Sequence, residues 1–186
     1  MAARPTPINA HEASKFLKAL TVKPSTGKEG YSRAKFPHWI EISSTCDTRE
    51  TVLKRDGKDV HVDAQCRAVS GTWESPYDGA TFDSASKMDI DHVVPLAEAW
   101  RSGANLWTPE KRRQFANDLD QPQLVAVSAG ARRSKGDQTP NEWKPPARRF
   151  WCEYGRAYIQ VKHFYHLSIE SSEKDALIAM LETCDA

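Results

Sequence analysis

The chain lacks three things that would narrow its function quickly. It has no Cys-x-x-Cys pair, which disfavours a zinc knuckle. No apolar run approaches the roughly 20 residues needed to cross a bilayer, so membrane insertion is disfavoured. Charge of one sign is not in excess either: 26 Lys and Arg stand against 25 Asp and Glu, a formal net charge of +1. That total selects no polyanionic partner until the charges are mapped along the chain. Internal repeats and low-complexity segments are absent. The opening MAARPTPINA has no apolar signal region, which fits a mature exported form with an added Met, its signal peptide removed, or else a cytosolic protein.

At 186 residues, 39% of them hydrophobic and 27% charged, the chain is long enough for one domain with a core of its own. Four cysteines, Cys46, Cys66, Cys152 and Cys184, form widely spaced pairs. An even count of this kind reads as two disulfides in an exported protein, with free thiols in the cytosol as the plainer alternative. Four cysteines allow three connectivities. The favoured one joins Cys46 to Cys66 and Cys152 to Cys184.

Helix and strand signals are mixed. Asn9 followed by Glu12 has capping-box character ahead of Phe16, Leu17 and Leu20, predicting a helix over 10 to 20. The stretch TVLKRDGKDVHV sets two β-prone runs around Asp56-Gly57 and predicts a tight hairpin over 51 to 62. Trp73 and Tyr77 read as packing aromatics. Pro95 opens a helix that Gly103 stops, and Thr108-Pro109 begins another that runs to about Leu119. QLVAV at 123 to 127 reads as a buried strand. Two amphipathic helices follow, over about 148 to 165 and 172 to 183. The fold class expected is α+β.

The stretch KMDIDHVVPLAEAW carries the first chemistry. Asp91 and His92 are adjacent on an extended segment, so their side chains leave opposite faces. One can bind a cation while the other accepts a proton, a task suited to an imidazole with an unperturbed pKa near 6.5. Alone, such a pair is more often a turn and a surface histidine. Asp89 shares Asp91's face but sits about 7 Å away, which favours a plain strand residue over a second ligand. Glu98 on the next helix has only weak claims, on a metal-bound water or a basic neighbour. From Arg132 to Arg149 there are six basic residues against two acidic ones. Such a run is usually a solvated face, and it is also a natural place for phosphate contacts, with Arg133, Lys135 and Lys144 as the candidates.

Several motifs stand together in order: YSRAKFPHW, CDTRE, CRAVSGTWESPYDG, DIDHVVPLAEAWRSGA, FANDL and RSKGDQTPNEWKPP. Over roughly residues 10 to 184 the chain resembles the secreted HNH endonucleases of actinobacteria and fungi. The resemblance implies one domain over 1 to 186 with a ββα-metal (His-Me) finger over about 85 to 145, flanked by an N-terminal helix, β-hairpins and C-terminal helices. It implies a secreted, monomeric, metal-dependent endonuclease cutting DNA, and possibly RNA, with little sequence specificity. His92 would be the general base and Asp91 a ligand of Mg²⁺ or Mn²⁺, with Zn²⁺ as a further candidate. A divalent ion would neutralise charge at the scissile phosphate and stabilise the leaving oxygen. Asn117 of FANDL would orient the loop carrying the histidine, or serve simply as a helix end.

One position departs from that pattern. The family places an asparagine directly before Arg-Ser-Lys-Gly-Asp, and here it is Arg132. A guanidinium has no acceptor atom and carries positive charge, so it cannot be a metal ligand. Three explanations stand: natural loss of metal-dependent cleavage, a deliberate inactivating change, or partial replacement of the cation by Arg132 paired with Asp91. A noncatalytic nucleic-acid binder or effector on the same scaffold is the alternative function.

Overall fold

The computed structural model describes residues 3 to 185. Helix α1 (Ala10–Ala19) begins where the Asn9 side chain accepts a bond from the Glu12 N–H at 2.9 Å, and it buries Ala13 and Leu17. A loop with a short 3-10 turn at Arg33–Lys35 leads to the small antiparallel pair β1 (Glu41–Ser43) and β2 (Cys46–Asp47).

The hairpin expected over 51 to 62 is not formed. Thr48–Asp56 is helix α2, started by a capping box in which Asp47 and Glu50 satisfy each other's backbone N–H groups. Gly57 ends that helix with φ −84°, so the Asp-Gly pair is a helix stop and not a positive-φ turn. A Cβ on Gly57 would lie 2.4 Å from the Trp73 indole nitrogen, so close approach to that ring requires a glycine there. The hairpin forms one element later: β3 (Lys58–Val62) pairs with β4 (Ala68–Glu74), and β5 (Thr81–Phe82) adds to β4. Asp63 closes the turn by accepting from the Gln65 and Arg67 N–H groups, both at 2.9 Å.

The central pair is β6 (Met88–His92) against β7 (Leu124–Ser128), antiparallel and in register, with Asp91 opposite Val125 and His92 opposite Leu124. Between them come α3 (Leu96–Arg101) and α4 (Pro109–Ala116), and helix α5 (Ala129–Lys135) follows β7 directly. Pro95 caps α3 from just outside it, and Asn117 ends α4 earlier than the periodicity predicts. Both faces of β6–β7 are covered. Val125 and Val127 face the larger core with α1, α6 (Trp151–Phe164) and α7 (Ser171–Leu181), whereas Met88, Ile90, Leu124 and Ala126 face a smaller one with Val52, Leu53 and Trp73. Because side chains alternate along a strand, Asp91 enters the larger core and His92 the smaller side.

The disulfides are Cys46–Cys66 and Cys152–Cys184, with Cα separations of 5.2 and 4.9 Å. The first ties the start of α2 to the β3–β4 turn, and the second ties the start of α6 to the chain beyond α7. Glu98 is part of a buried ionic cluster: Lys162, wholly buried, lies 3.0 Å from Glu98 and 2.9 Å from Glu173. These charges join α3, α6 and α7 inside the core. No helix among the described residues is long and apolar enough to cross a membrane.

Candidate functional site

Asp91 is 1% exposed, and its carboxylate is surrounded by donors. Lys135 Nζ lies 2.6 Å from Oδ2, the Tyr77 hydroxyl also donates to Oδ2, and Arg132 Nε lies 3.1 Å from Oδ1. Lys135 also reaches the carbonyls of His92 and Val93, at 2.8 and 2.9 Å. Three acceptors around one amine need three N–H donors, so Lys135 is the ammonium. Burial lowers its pKa and the Asp91 charge pulls it back up. Tyr77 is pushed well above the usual phenol range by burial first and by Asp91 second, so it stays a donor.

This overturns one expectation. Lys135, assigned to phosphate contact on the exposed basic run, is 0% exposed and points inward. The physical reason is helical period: Arg132 and Lys135 are three residues apart on α5 and share a face, while Arg133 is turned outward and exposed. Lys144 is also exposed, with its ammonium 5.0 Å from the Trp151 ring centre.

Across the strand, His92 is 3% exposed, and its Nε2–H donates to the Ala116 carbonyl at 2.9 Å. The carbonyl can only accept, which fixes the tautomer and leaves the lone pair on Nδ1. Trp39 stacks on the ring at 5.4 Å with a 4° interplanar angle, and His38 meets it edge-on at 6.2 Å. Burial brings the His92 pKa down to about 3, against the upward pull of Ala116 and Asp91. His92 is therefore neutral at any ordinary pH.

Among the described residues Asn117 makes no hydrogen bond to His92. Its Oδ1 accepts from Thr48 Oγ1 at 2.7 Å and from the Ile40 N–H at 3.3 Å, and its Nδ2 donates to Pro37 and Arg113 carbonyls, both at 2.8 Å. It pins the segment that delivers His38 and Trp39, while its neighbour Ala116 supplies the carbonyl for His92. The only local signal for residues 37 to 39 is the FPHW tetrapeptide within the YSRAKFPHW motif.

A family model described as GmrSD restriction endonucleases, C-terminal domain, matches residues 47–180. The chain belongs to this family. The GmrSD C-terminal-domain match contains Asp91, His92, Asn117, Arg132 and Lys135, and it contains one cysteine of each disulfide. A fungal relative from Arthroderma benhamiae, called "Uncharacterized secreted protein", is 57% identical over 183 residues, covering 97% of this chain and 90% of its own. No solved structure matches. The GmrSD family is nuclease-related, which makes a divalent cation the group to test against these residues.

The residues do not fit one. Among the described residues no group of three His, Cys, Asp or Glu side chains is arranged to hold a metal ion. The Asp91 oxygens already receive two cations and a hydroxyl. A divalent ion at Oδ1, about 4 Å from the Arg132 guanidinium, would be repelled by about 8 kcal/mol at an effective dielectric of about 20.

Proposed function

We propose that this chain is an exported nucleic-acid-binding domain on a nuclease scaffold, in which Arg132 stands where a cation would sit, so that metal-assisted hydrolysis is lost. One domain spans residues 1 to 186. Its β6–β7–α5 unit, within about 85 to 145, corresponds to a ββα-metal finger. The observation that carries this reading is the Asp91 carboxylate, held between Lys135 and Arg132 and therefore closed to a further cation. Family membership supports DNA, or RNA, as the molecule bound. The exposed Arg133 and Lys144 are the backbone contacts, and such contacts carry no base information. Export is supported by the two disulfides and by the name of the fungal relative.

Incubation with plasmid DNA and with RNA, in Mg²⁺, Mn²⁺ or Zn²⁺ and then in EDTA, tests the proposal. The chain binds both polymers without divalent-dependent cleavage, and Arg132→Asn gains cleavage that Asp91→Ala or His92→Ala removes. Robust metal-dependent cleavage by the unaltered chain would show that Arg132 leaves Asp91 when substrate arrives, and the metal-dependent endonuclease reading would replace this one.

A further inference from the structure

The charges around Asp91 do not cancel. Asp91 and Lys135 are both buried and offset one another, which leaves the guanidinium of Arg132 as surplus. That guanidinium is fixed at two points, with Nε beside Asp91 and Nη1 donating to the Gly136 carbonyl at 3.1 Å. Its second terminal nitrogen makes no such bond among the described residues, and the side chain keeps 20% of its surface exposed. Anchoring on one edge with the other open is the arrangement in which arginine meets an anion bidentately.

A second guanidinium comes from the loop that the Lys28–Asp137 pair joins to the chain just past α5, and its partner His38 meets the His92 ring edge-on at 6.2 Å. Arg33, from the turn before the Phe36–Trp39 segment, donates to His38 Nε2 at 3.2 Å. His38 Nδ1 lies 2.8 Å from the Phe36 carbonyl and must donate to it, so Nε2 is the acceptor for Arg33. Arg33 therefore has an oriented partner that takes none of its charge. Tyr31 lies within electrostatic reach of both arginines: burial first and Asp137 next raise its phenol, while Arg33 and Arg132 pull it down. Asp137 is the carboxylate at this mouth, and Lys28 lies 3.9 Å from it. The balance of Arg33, Arg132 and Lys28 against Asp137 is positive.

We propose that Arg33 and Arg132 form a phosphate-binding site, in which guanidinium groups hold the phosphate that a nuclease of this kind would present to a metal ion. The ligand chemistry is a phosphate anion, supplied by a nucleic-acid backbone or by free phosphate. The proposal rests on the nucleic-acid reading above but can fail separately from it.

The test is titration calorimetry of the full chain in EDTA, with inorganic phosphate and with a short oligonucleotide as probes. Saturable phosphate binding is expected, weakened at least about ten-fold by Arg33→Gln and by Arg132→Asn, as loss of one charge-assisted pair implies. Arg33 is exposed, so its variant stays informative if the Arg132 variant is unstable. Displacement of the oligonucleotide by phosphate supports the site with the backbone as its source. Phosphate binding that depends on both arginines but leaves the oligonucleotide bound supports the site with free phosphate as its source. No saturable phosphate binding, or binding indifferent to both substitutions, overturns the proposal. In that case an oligonucleotide that still binds leaves the nucleic-acid reading standing, and one that does not bind removes it too.

Discussion

Replacing Lys135 by methionine tests the buried charge cluster most directly. The substitution keeps side-chain length and removes the ammonium, together with its bonds to Asp91, His92 and Val93 at 2.6, 2.8 and 2.9 Å. Asp91, 1% exposed, is then left with Tyr77 and the less buried Arg132. Breaking a buried pair by removing one partner costs roughly 3 to 5 kcal/mol. Because Arg132 remains beside Asp91, the lower end, about 3 kcal/mol, applies. For a chain of this length that corresponds to a fall in Tm of roughly 6 to 12 °C. Urea unfolding with both disulfides intact measures it, provided the denaturant slope is unchanged. Pairing Lys135→Met with Asp91→Asn should cost less than the two single changes added, by about 0.5 to 3 kcal/mol, because the double variant leaves neither charge unmatched. A Lys135→Met protein as stable as its parent, with weakened nucleic-acid binding instead, would place the ammonium on the surface and refute the reasoning.

Neutralising Arg133 or Lys144 should act in the opposite way: stability within about 0.5 kcal/mol of the parent, and a slope of log K against log salt reduced by about one unit per residue; binding indifferent to salt would count against both contacts. For His92, whose folded pKa of about 3 lies below the ordinary imidazole value of 6.5, stability present above 6.5 is lost as pH falls through that window. Relative to His92→Gln, the parent should lose about 2 kcal/mol more between about pH 6.5 and about pH 5, read from urea unfolding at each pH. Reduction of the disulfides, which close sequence separations of 20 and 32 residues, should cost about 3 to 4 kcal/mol for each bond in the chain-entropy treatment. Equal melting temperatures with and without reductant would contradict that.

Much of the fold was legible because its signals were local. Asn9 and Glu12 start α1, Thr108 caps α4 at the Lys111 N–H, and QLVAV is the buried strand β7 within one residue. Helix α2 was missed although Asp47 and Glu50, its capping box, were equally plain. Asp56-Gly57 carries two meanings, a positive-φ turn or a helix end beside a close contact, and the Trp73 ring is the distant group that crowds Gly57. That contact joins residues far apart in sequence, so no window centred on the glycine contains it.

The candidate site divides along the same line. Asp91 and His92 are adjacent, and strand alternation alone places them on opposite faces, as β6 does. What the cations do depends on a helix whose phase the sequence left open. Once α5 is known to begin at Ala129, the three-residue spacing of Arg132 and Lys135 sends both toward Asp91 and leaves Arg133 in solvent. A run of positive charge read as one solvated surface is thus two populations with different work. Lys135 neutralises a buried carboxylate and locks β6 to α5, and Arg132 carries the surplus charge to the mouth. That division gives Arg132→Asn a meaning that reversing any exposed arginine would lack: it removes the surplus and frees one oxygen of Asp91, while Lys135 keeps the carboxylate partnered.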